Sequence, residues 1–318
     1  MVTPVKDRNH PRRGTASESQ YSIFEFTRDF PDDAACLNWL WRTRYSADGE
    51  HADCPKCGQV RPFKRYETAQ QRQSWTCTAC GHHLHPTAGT IFHKSSTALH
   101  LWFYGVYLMT STRCGISAKQ LERELGVTYK TAYRMFHLIR GLLAEDVTDL
   151  AGTVEVDETY IGGKPRFSIH GDNSRAIREA KARKVTVQGM VERGGRIRVT
   201  VNPPSPLAGN VVEHVLPSAL VYTDEAAHYS KLRKRGYNHS RVHHTAKVYV
   251  SGDVHTNTIE GFWALVKGGI GGTHHAVSAK WLQGYLNEYA WRYNRREDGQ
   301  AMFLSLILAA ALGPATSV

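Results

Sequence analysis

Val154-Glu155-Val156-Asp157-Glu158-Thr159-Tyr160-Ile161-Gly162-Gly163 reads as an apolar strand carrying Asp157 and running into a glycine turn. Leu220-Val221-Tyr222-Thr223-Asp224-Glu225-Ala226 is a second, short strand ending at Asp224. His255-Thr256-Asn257-Thr258-Ile259-Glu260-Gly261-Phe262-Trp263 opens a helix over 257–267, and Lys267 follows Glu260 by seven residues. Thirty-five residues separate Asp224 from Glu260. Two acids at strand ends and a third on a later helix are able to meet at one point. Converging carboxylates hold hard divalent cations, because Mg²⁺ prefers oxygen ligands and shares them with substrate phosphate. That is what two-metal phosphoryl transfer requires. Taken singly, each Asp also reads as a turn or helix-cap residue and Glu260 as a solvated helix charge. The three in this order favour the metal reading.

Around these acids the pattern alternates strands and helices. Thr153 to Ile161 is a strand. Val185 to Val191 and Ile197 to Val201 form a hairpin across Arg193-Gly194-Gly195-Arg196. A helix is expected over Leu207 to Val215, a buried strand over Ala219 to Thr223, and a helix around Tyr229 to Arg235. A last strand is expected over 247–250, then helices over 257–267 and 279–294. Asp157 thus lies on the first strand, Asp224 at the end of the fourth and Glu260 on a late helix. Glu158 and Glu225, next to these acids, are assigned to the other strand face or to a cap.

Further toward the N-terminus the chain changes character. Cys54-Pro55-Lys56-Cys57-Gly58 and Cys77-Thr78-Ala79-Cys80-Gly81 are two CxxC knuckles with 19 residues between Cys57 and Cys77. Paired knuckles at this spacing predict one structural Zn²⁺ held by Cys54, Cys57, Cys77 and Cys80. The glycine after each knuckle permits the positive φ it needs. The alternating residues between them suit the strands of a zinc ribbon. His82, His83 and His85 are competing ligands or surface residues near a polyanion. Cys36 and Cys114 fall in helical patterns and are expected to be buried thiols.

Residues 21–50 and 97–143 carry helical spacing. Within the second stretch, Ile116 to Gly126 and Thr128 to Met135 make a helix, a glycine turn and a second helix capped by Thr128. This is the helix-turn-helix pattern, and its second helix carries Tyr129, Lys130, Thr131 and Arg134 for a groove. An ordinary helical hairpin is the alternative. Later, Tyr289, Trp291, Arg292, Tyr293, Asn294, Arg295 and Arg296 make a basic aromatic face. It reads either as a DNA groove, with Arg292 and Arg295 as contacts, or as a packed terminal helix. Phe262 and Trp263 are both core residues, or one of them stacks on an unpaired base. Of the scattered histidines, His255 is the one placed to approach the acids.

The chain has 318 residues, 41% hydrophobic and 22% charged, as ordinary globular proteins do. Its net charge is +11 and its pI about 9.4, so a polyanion is the expected partner. No apolar run reaches the roughly 18 residues of a spanning helix, and no secretory signal is visible, so no membrane role is expected. Residues 1–20 read as a disordered basic arm. Cysteines explained by metal rather than disulfides fit a reducing, cytoplasmic compartment.

VEVDETYIGGK at 154–164, VYTDEA at 221–226 and HTNTIEGFWALVKGGIGGTHHAVSAKWLQGYLNEYAWRYNRR at 255–296 resemble insertion-sequence transposases of the IS1595 type, with an ISXO2-like transposase domain. The CPKCG and CTACG knuckles match the family's N-terminal region, so the resemblance spans roughly 21–296. It implies a bacterial DDE transposase on a ribonuclease H-like α/β fold, a mixed sheet with helices whose metal-binding acids occupy these positions. Carried over by position, Asp157 and Asp224 are the first two acids and Glu260 the third, holding two Mg²⁺ (or Mn²⁺) ions. Some family members have Asn in the third place, and Asn257 lies one turn before Glu260 as an auxiliary. Lys267, about two turns after Glu260, shares its helix face and is assigned to phosphate. Double-stranded DNA, both transposon ends and target, is the implied partner, with a homo-oligomer in the DNA complex. The expected domains are the arm at 1–20, a helical element at 21–50, the ribbon at 51–92, the helix-turn-helix region at 93–150, the catalytic domain at 151–296 and a tail at 297–318. Two other functions compete: a DNA-binding regulator derived from a transposase, and a structure-specific nuclease of the same fold that cleaves without joining.

Overall fold

The computed structural model describes residues 21–66, 74–112, 114–145, 147–162, 173–203, 206–224, 227–242, 255–296 and 302–313. The arm at 1–20 and the strand expected over 247–250 lie outside them. The chain divides into two compact units, one of residues 1–113 with 297–318 and one of residues 114–296.

In the first unit, α1 (Ile23–Asp29) starts on a capping box: the Ser22 hydroxyl accepts the Glu25 N–H, and the Glu25 carboxylate accepts the Ser22 N–H. Helix α2 (Asp33–Arg44) is capped by Asp32. Helix α3 (Leu99–Ser111) has no side-chain cap of its own. Asp33 at the start of α2 supplies one, accepting the N–H groups of Leu99 and His100 at 3.2 and 2.8 Å. The ribbon strands β1 (His51–Cys54), β2 (Gln59–Tyr66), β3 (Ser74–Cys77) and β4 (His83–Leu84) form an antiparallel sheet in chain order. Trp41 of α2 stacks on Trp75 of β3 with centroids 4.7 Å apart and planes 6° from parallel. The segment expected to be a tail contains the last helix among the described residues, α10 (Met302–Leu312), with Met302, Phe303, Leu306 and Ile307 buried. Phe303 packs against Phe26, Phe30 and Tyr107 and stacks on Tyr21 at 4.9 Å.

The second unit begins with α4 (Ala118–Leu125) and α5 (Tyr129–Gly141), joined by Gly126 at φ 61° with Thr128 capping α5. The helix-turn-helix pair therefore belongs with the strands that follow, not with α3 as the expected 93–150 grouping had it. Next come β5 (Thr153–Ile161), α6 (Ser174–Ala182), β6 (Val185–Glu192), β7 (Ile197–Val201), α7 (Leu207–His214), β8 (Leu220–Thr223), β9 (Asn238–Arg241), α8 (Asn257–Gly269) and α9 (Leu282–Asn294). The five strands lie in the order β7-β6-β5-β8-β9. Strand β6 is antiparallel to β5 and β7, while β8 runs parallel to both β5 and β9. Val154 and Val156 of β5 face α7 in one core. Ile161, with Val187 of β6, faces α8 and α9 in the other. Strand alternation thus turns Glu155 and Asp157 toward α8 and Glu158 toward α7.

Helix α6 has no counterpart in the sequence expectation, and two further elements of this unit differ from it. Tyr229 to Arg235 is two short 3-10 turns rather than one helix, because the Arg233-Lys234-Arg235 run has no apolar side to bury and ends at Gly236. Strand β9 is polar (Asn-His-Ser-Arg) and carries no strand signature; it pairs because β8 offers it an open edge.

Helix α5 is tied to α9 by a buried ion cluster. Arg140 and Glu288 are each 2% exposed and meet at 2.7 Å, and Arg292 reaches the other Glu288 oxygen at 2.9 Å. The Arg140 guanidinium also lies 3.6 Å from the ring centroids of both Phe136 and Tyr285. Glu288→Gln would leave two buried cations without their counter-charge. It is expected to lower stability by about 3–5 kcal/mol, measured by urea unfolding; a change near zero would show that the cluster contributes no net stability.

Candidate functional site

Val156 of β5 is paired with Thr223 of β8 in the parallel register, so the next residue on each strand brings Asp157 beside Asp224. Asp157, Glu158 and Asp224 each offer a carboxylate oxygen, and these oxygens lie within 4.8 Å of one another. Opposite ligands of an octahedral Mg²⁺ are about 4.2 Å apart, so the spacing and the all-oxygen donor set fit a hard divalent cation. Glu158, which the sequence reading placed on the other strand face, does point that way, yet its carboxylate still reaches the cluster. It accepts a short hydrogen bond from Tyr229, a fully buried side chain. Gln188 donates to the Tyr229 oxygen at 3.0 Å, and Asn210 donates to Gln188 at 2.7 Å. That chain leaves the Tyr229 proton for Glu158. Burial first, and then the charges of Asp224 and Glu158, push the Asp157 carboxyl up to about 6. Burial raises Glu158 as well.

Helix α8 lies against this group. The Trp263 indole N–H donates to Asp157 Oδ2 at 3.0 Å. Room for that indole comes from Gly189, the residue paired with Asp157 across β6, where a Cβ would lie 2.6 Å from Trp263 Cζ2. Phe262 and Trp263 are both core residues, 2% and 3% exposed. Glu260 is exposed, and its carboxylate accepts the Thr256 hydroxyl at 3.0 Å. It is not among the acids gathered in the cluster of described residues, and Asn257 one turn earlier is exposed as well. Lys267 is exposed in the last turn of α8. His255 does not enter the cluster. Its ring sits 2.9 Å from Arg193 and 3.4 Å from Glu155.

In the ribbon, the sulfurs of Cys54, Cys57, Cys77 and Cys80 also lie within 4.8 Å of one another. Cys54 to Cys80 is 3.6 Å and Cys57 to Cys77 is 3.9 Å. Zn–S bonds near 2.3 Å place tetrahedral sulfurs about 3.8 Å apart, so the thiols fit one Zn²⁺. Gly58 and Gly81, at φ 65° and 73°, close the knuckles by donating to Cys54 O and Cys77 O, each at 2.9 Å. His83 is occupied with Ser74 and Thr76 instead. Cys36 is buried, but Cys114 is exposed, because it falls beyond the end of α3.

The profile of the ISXO2-like transposase domain matches residues 149–294, which contain the acid cluster and α8. An uncharacterized protein in transposable element ISH50 of Halobacterium salinarum is 30% identical over 272 residues, 81% of this chain and 91% of the relative. This chain belongs to the ISXO2-like transposase family. No solved structure matches it.

For a transposase family member, divalent metal and DNA are the implied partners, and the remaining expected contacts sort accordingly. Lys130 and Arg134 are exposed on α5, where Ala132, Met135 and Phe136 are buried beneath them. Beside them Tyr129, Tyr133, His137 and Trp281 form a continuous run of ring contacts, with Lys119 over Tyr129 and Lys280 over Trp281. Arg292 and Arg295 are both engaged within the fold. Arg292 is buried in the ion cluster with Glu288. Arg295 is ion-paired with Glu145, and its guanidinium lies 4.5 Å from the Trp291 ring centroid. Within the basic aromatic stretch, Arg292 and Arg295 thus meet acids of the fold, and Arg296 donates to the Gly195 and Tyr293 carbonyls. Among the described residues, no helix is long and apolar enough to cross a membrane.

Two expectations follow. An unfolded Asp titrates near 3.9, so a folded value near 6 makes protonated Asp157 stabilising below pH about 4, a contribution lost as pH rises through about 6. In buffer free of Mg²⁺ and Mn²⁺, Asp157→Asn is expected to raise the Tm relative to wild type near neutral pH, with the gain shrinking toward pH 4. Equal differences at both pH values would refute the raised titration. In the ribbon, metal analysis is expected to find one zinc per chain. Cys77→Ser should release it and expose the neighbouring Trp75, read as a red shift in fluorescence, since a ribbon this small folds on its metal.

Proposed function

We propose that this chain is a DDE transposase that binds transposon-end DNA, nicks it and joins the 3′-hydroxyl to target DNA, on a ribonuclease H-like fold. The observation that carries the reading is the convergence of Asp157 and Asp224 at adjacent positions of parallel strands, with α8 lying against them, inside the stretch matched by the transposase profile. The sheet order, with three antiparallel strands followed by two parallel ones, supports the fold assignment. Two Mg²⁺ or Mn²⁺ ions, when bound, would activate the attacking oxygen and neutralise charge on the leaving one.

The chain's own residues supply the rest. Asp157 and Asp224 hold the ions, and Glu260, one turn before Trp263 on α8, brings the third carboxylate, with Asn257 as auxiliary. Trp263 donates to one Asp157 oxygen and so orients the carboxylate. Tyr229 does the same for Glu158. Lys267 shares the Glu260 side of α8 and takes a phosphate near the cleaved end. Lys130 and Arg134, four residues apart and exposed on α5, face one DNA groove together. The four thiolates of the ribbon hold a structural Zn²⁺.

Asp157→Asn, Asp224→Asn and Glu260→Gln are each expected to lower metal-dependent nicking and strand transfer by at least about a hundredfold, since each ligand secures several kcal/mol of charge stabilisation. Gel-shift binding to end DNA should stay near wild type. Asn257→Ala should do less damage; a fatal Asn257→Ala beside a tolerated Glu260→Gln would exchange their roles. Replacing Lys130 and Arg134 with Ala should weaken end binding and flatten its dependence on salt by about two ions, as lost phosphate contacts do. An unchanged slope would remove α5 from the DNA face.

A further inference from the structure

Glu155 stands two residues before Asp157 and takes no part in the acid cluster, yet it is completely buried. An ionised side chain with no exposure needs several partners, and Glu155 draws most of them from the first turn of α8. Its Oε2 accepts the backbone N–H groups of Thr258 and Ile259 at 2.8 and 3.1 Å. Its Oε1 accepts the Thr258 hydroxyl at 2.9 Å and Arg193 Nε at 2.7 Å. Arg193 in turn donates to the His255 carbonyl at 2.9 Å, gripping the chain just before the helix. The helix has no side-chain cap of its own at Thr256. Glu155 is its cap, delivered from a strand about 100 residues away in sequence, at the end where the helix dipole is positive.

The same strand face holds α8 at a second point, through Asp157 and Trp263. Glu155 and Asp157 are about 6.7 Å apart along the strand. Thr258 and Trp263 are about 7.5 Å apart along the helix. The two anchors therefore match and set the register of α8 on β5. Glu260 lies between them, two residues after Thr258 and three before Trp263.

We propose that Glu155 is a positioning residue of the active site: by capping α8 from β5, it sets the place of Glu260 relative to Asp157 and Asp224. The inference rests on the reading of Glu260 as third ligand. A carboxylate can accept all four hydrogen bonds, whereas the amide of Glu155→Gln cannot, since one of its two heavy atoms only donates.

The test is Mn²⁺ titration calorimetry on the zinc-loaded full chain, comparing wild type, Asp157→Asn, Glu260→Gln, Glu155→Gln and the Glu155→Gln/Glu260→Gln double variant. Glu155→Gln is expected to weaken Mn²⁺ binding about tenfold to a hundredfold, the range for residues that orient metal ligands. The double variant should bind no more weakly than Glu260→Gln alone. A merely structural Glu155 would lower the metal-free Tm and leave Mn²⁺ affinity unchanged, which would overturn the proposal, as would additive losses in the double variant. Should Glu155→Gln fail to fold, Thr258→Val, which removes only the 2.9 Å hydroxyl bond, is read by the same criteria with a smaller loss. Wild-type affinity in Asp157→Asn or Glu260→Gln would instead refute the metal-site reading itself, a result distinct from failure of the Glu155 role.

Discussion

Like charges held side by side are the constraint around which the second unit is built. The parallel register of β5 and β8 sets Asp157 next to Asp224, and the side chain of Glu158 curls in from the opposite sheet face. Carboxylates this close repel one another, and the raised titration of Asp157 registers that repulsion together with burial. Neutral donors steady two of them: an indole on Asp157, a phenol on Glu158. Neutral donors orient a carboxylate without cancelling its charge, so the negative potential stays available to a bound cation. Gly189 follows from the same requirement, since any larger residue there would push the indole off its carboxylate.

The buried charges elsewhere in this unit are handled in the opposite way. Glu288 sits between Arg140 and Arg292, and Glu155 against Arg193, each acid matched to full cations and sealed from water. The Glu288 cluster joins α5 to α9, while Glu155 joins β5 to the β6–β7 turn through Arg193 and to α8 through Thr258 and Ile259. The exposed face of α5 is consequently carried by the same packed unit as the acid cluster.

Much of this was legible in the chain because it is written in short-range chemistry. The knuckle glycines, the apolar strand β5 and the Thr128 cap of α5 are local signals, and the structure has each of them. The acids Asp157 and Asp224 were readable because each terminates or interrupts an apolar run. What escaped depends on partners far away in sequence. Nothing near Arg292 announces that its charge is met by Glu288 beside Arg140, so an arginine in an aromatic stretch reads as a DNA contact. Glu155 looks like one more polar residue on an alternating strand until α8 is laid on it. Strand β9 is polar throughout and exists by virtue of its neighbour's edge. Helix α10 is uniformly apolar and short, a pattern that does not tell a tail from a core helix without the aromatic cluster that receives it.

That last helix has a consequence for synthesis. Phe26, Phe30 and Tyr107 leave the ribosome well before Phe303, the ring that completes their cluster. The unit bearing the four thiols therefore finishes its core only after the whole intervening unit has been translated. A chain cut short by a premature stop or frameshift would expose the unfilled aromatic socket and be open to proteolysis. Whether a copy has reached α10 is thus registered in the packing of the first unit.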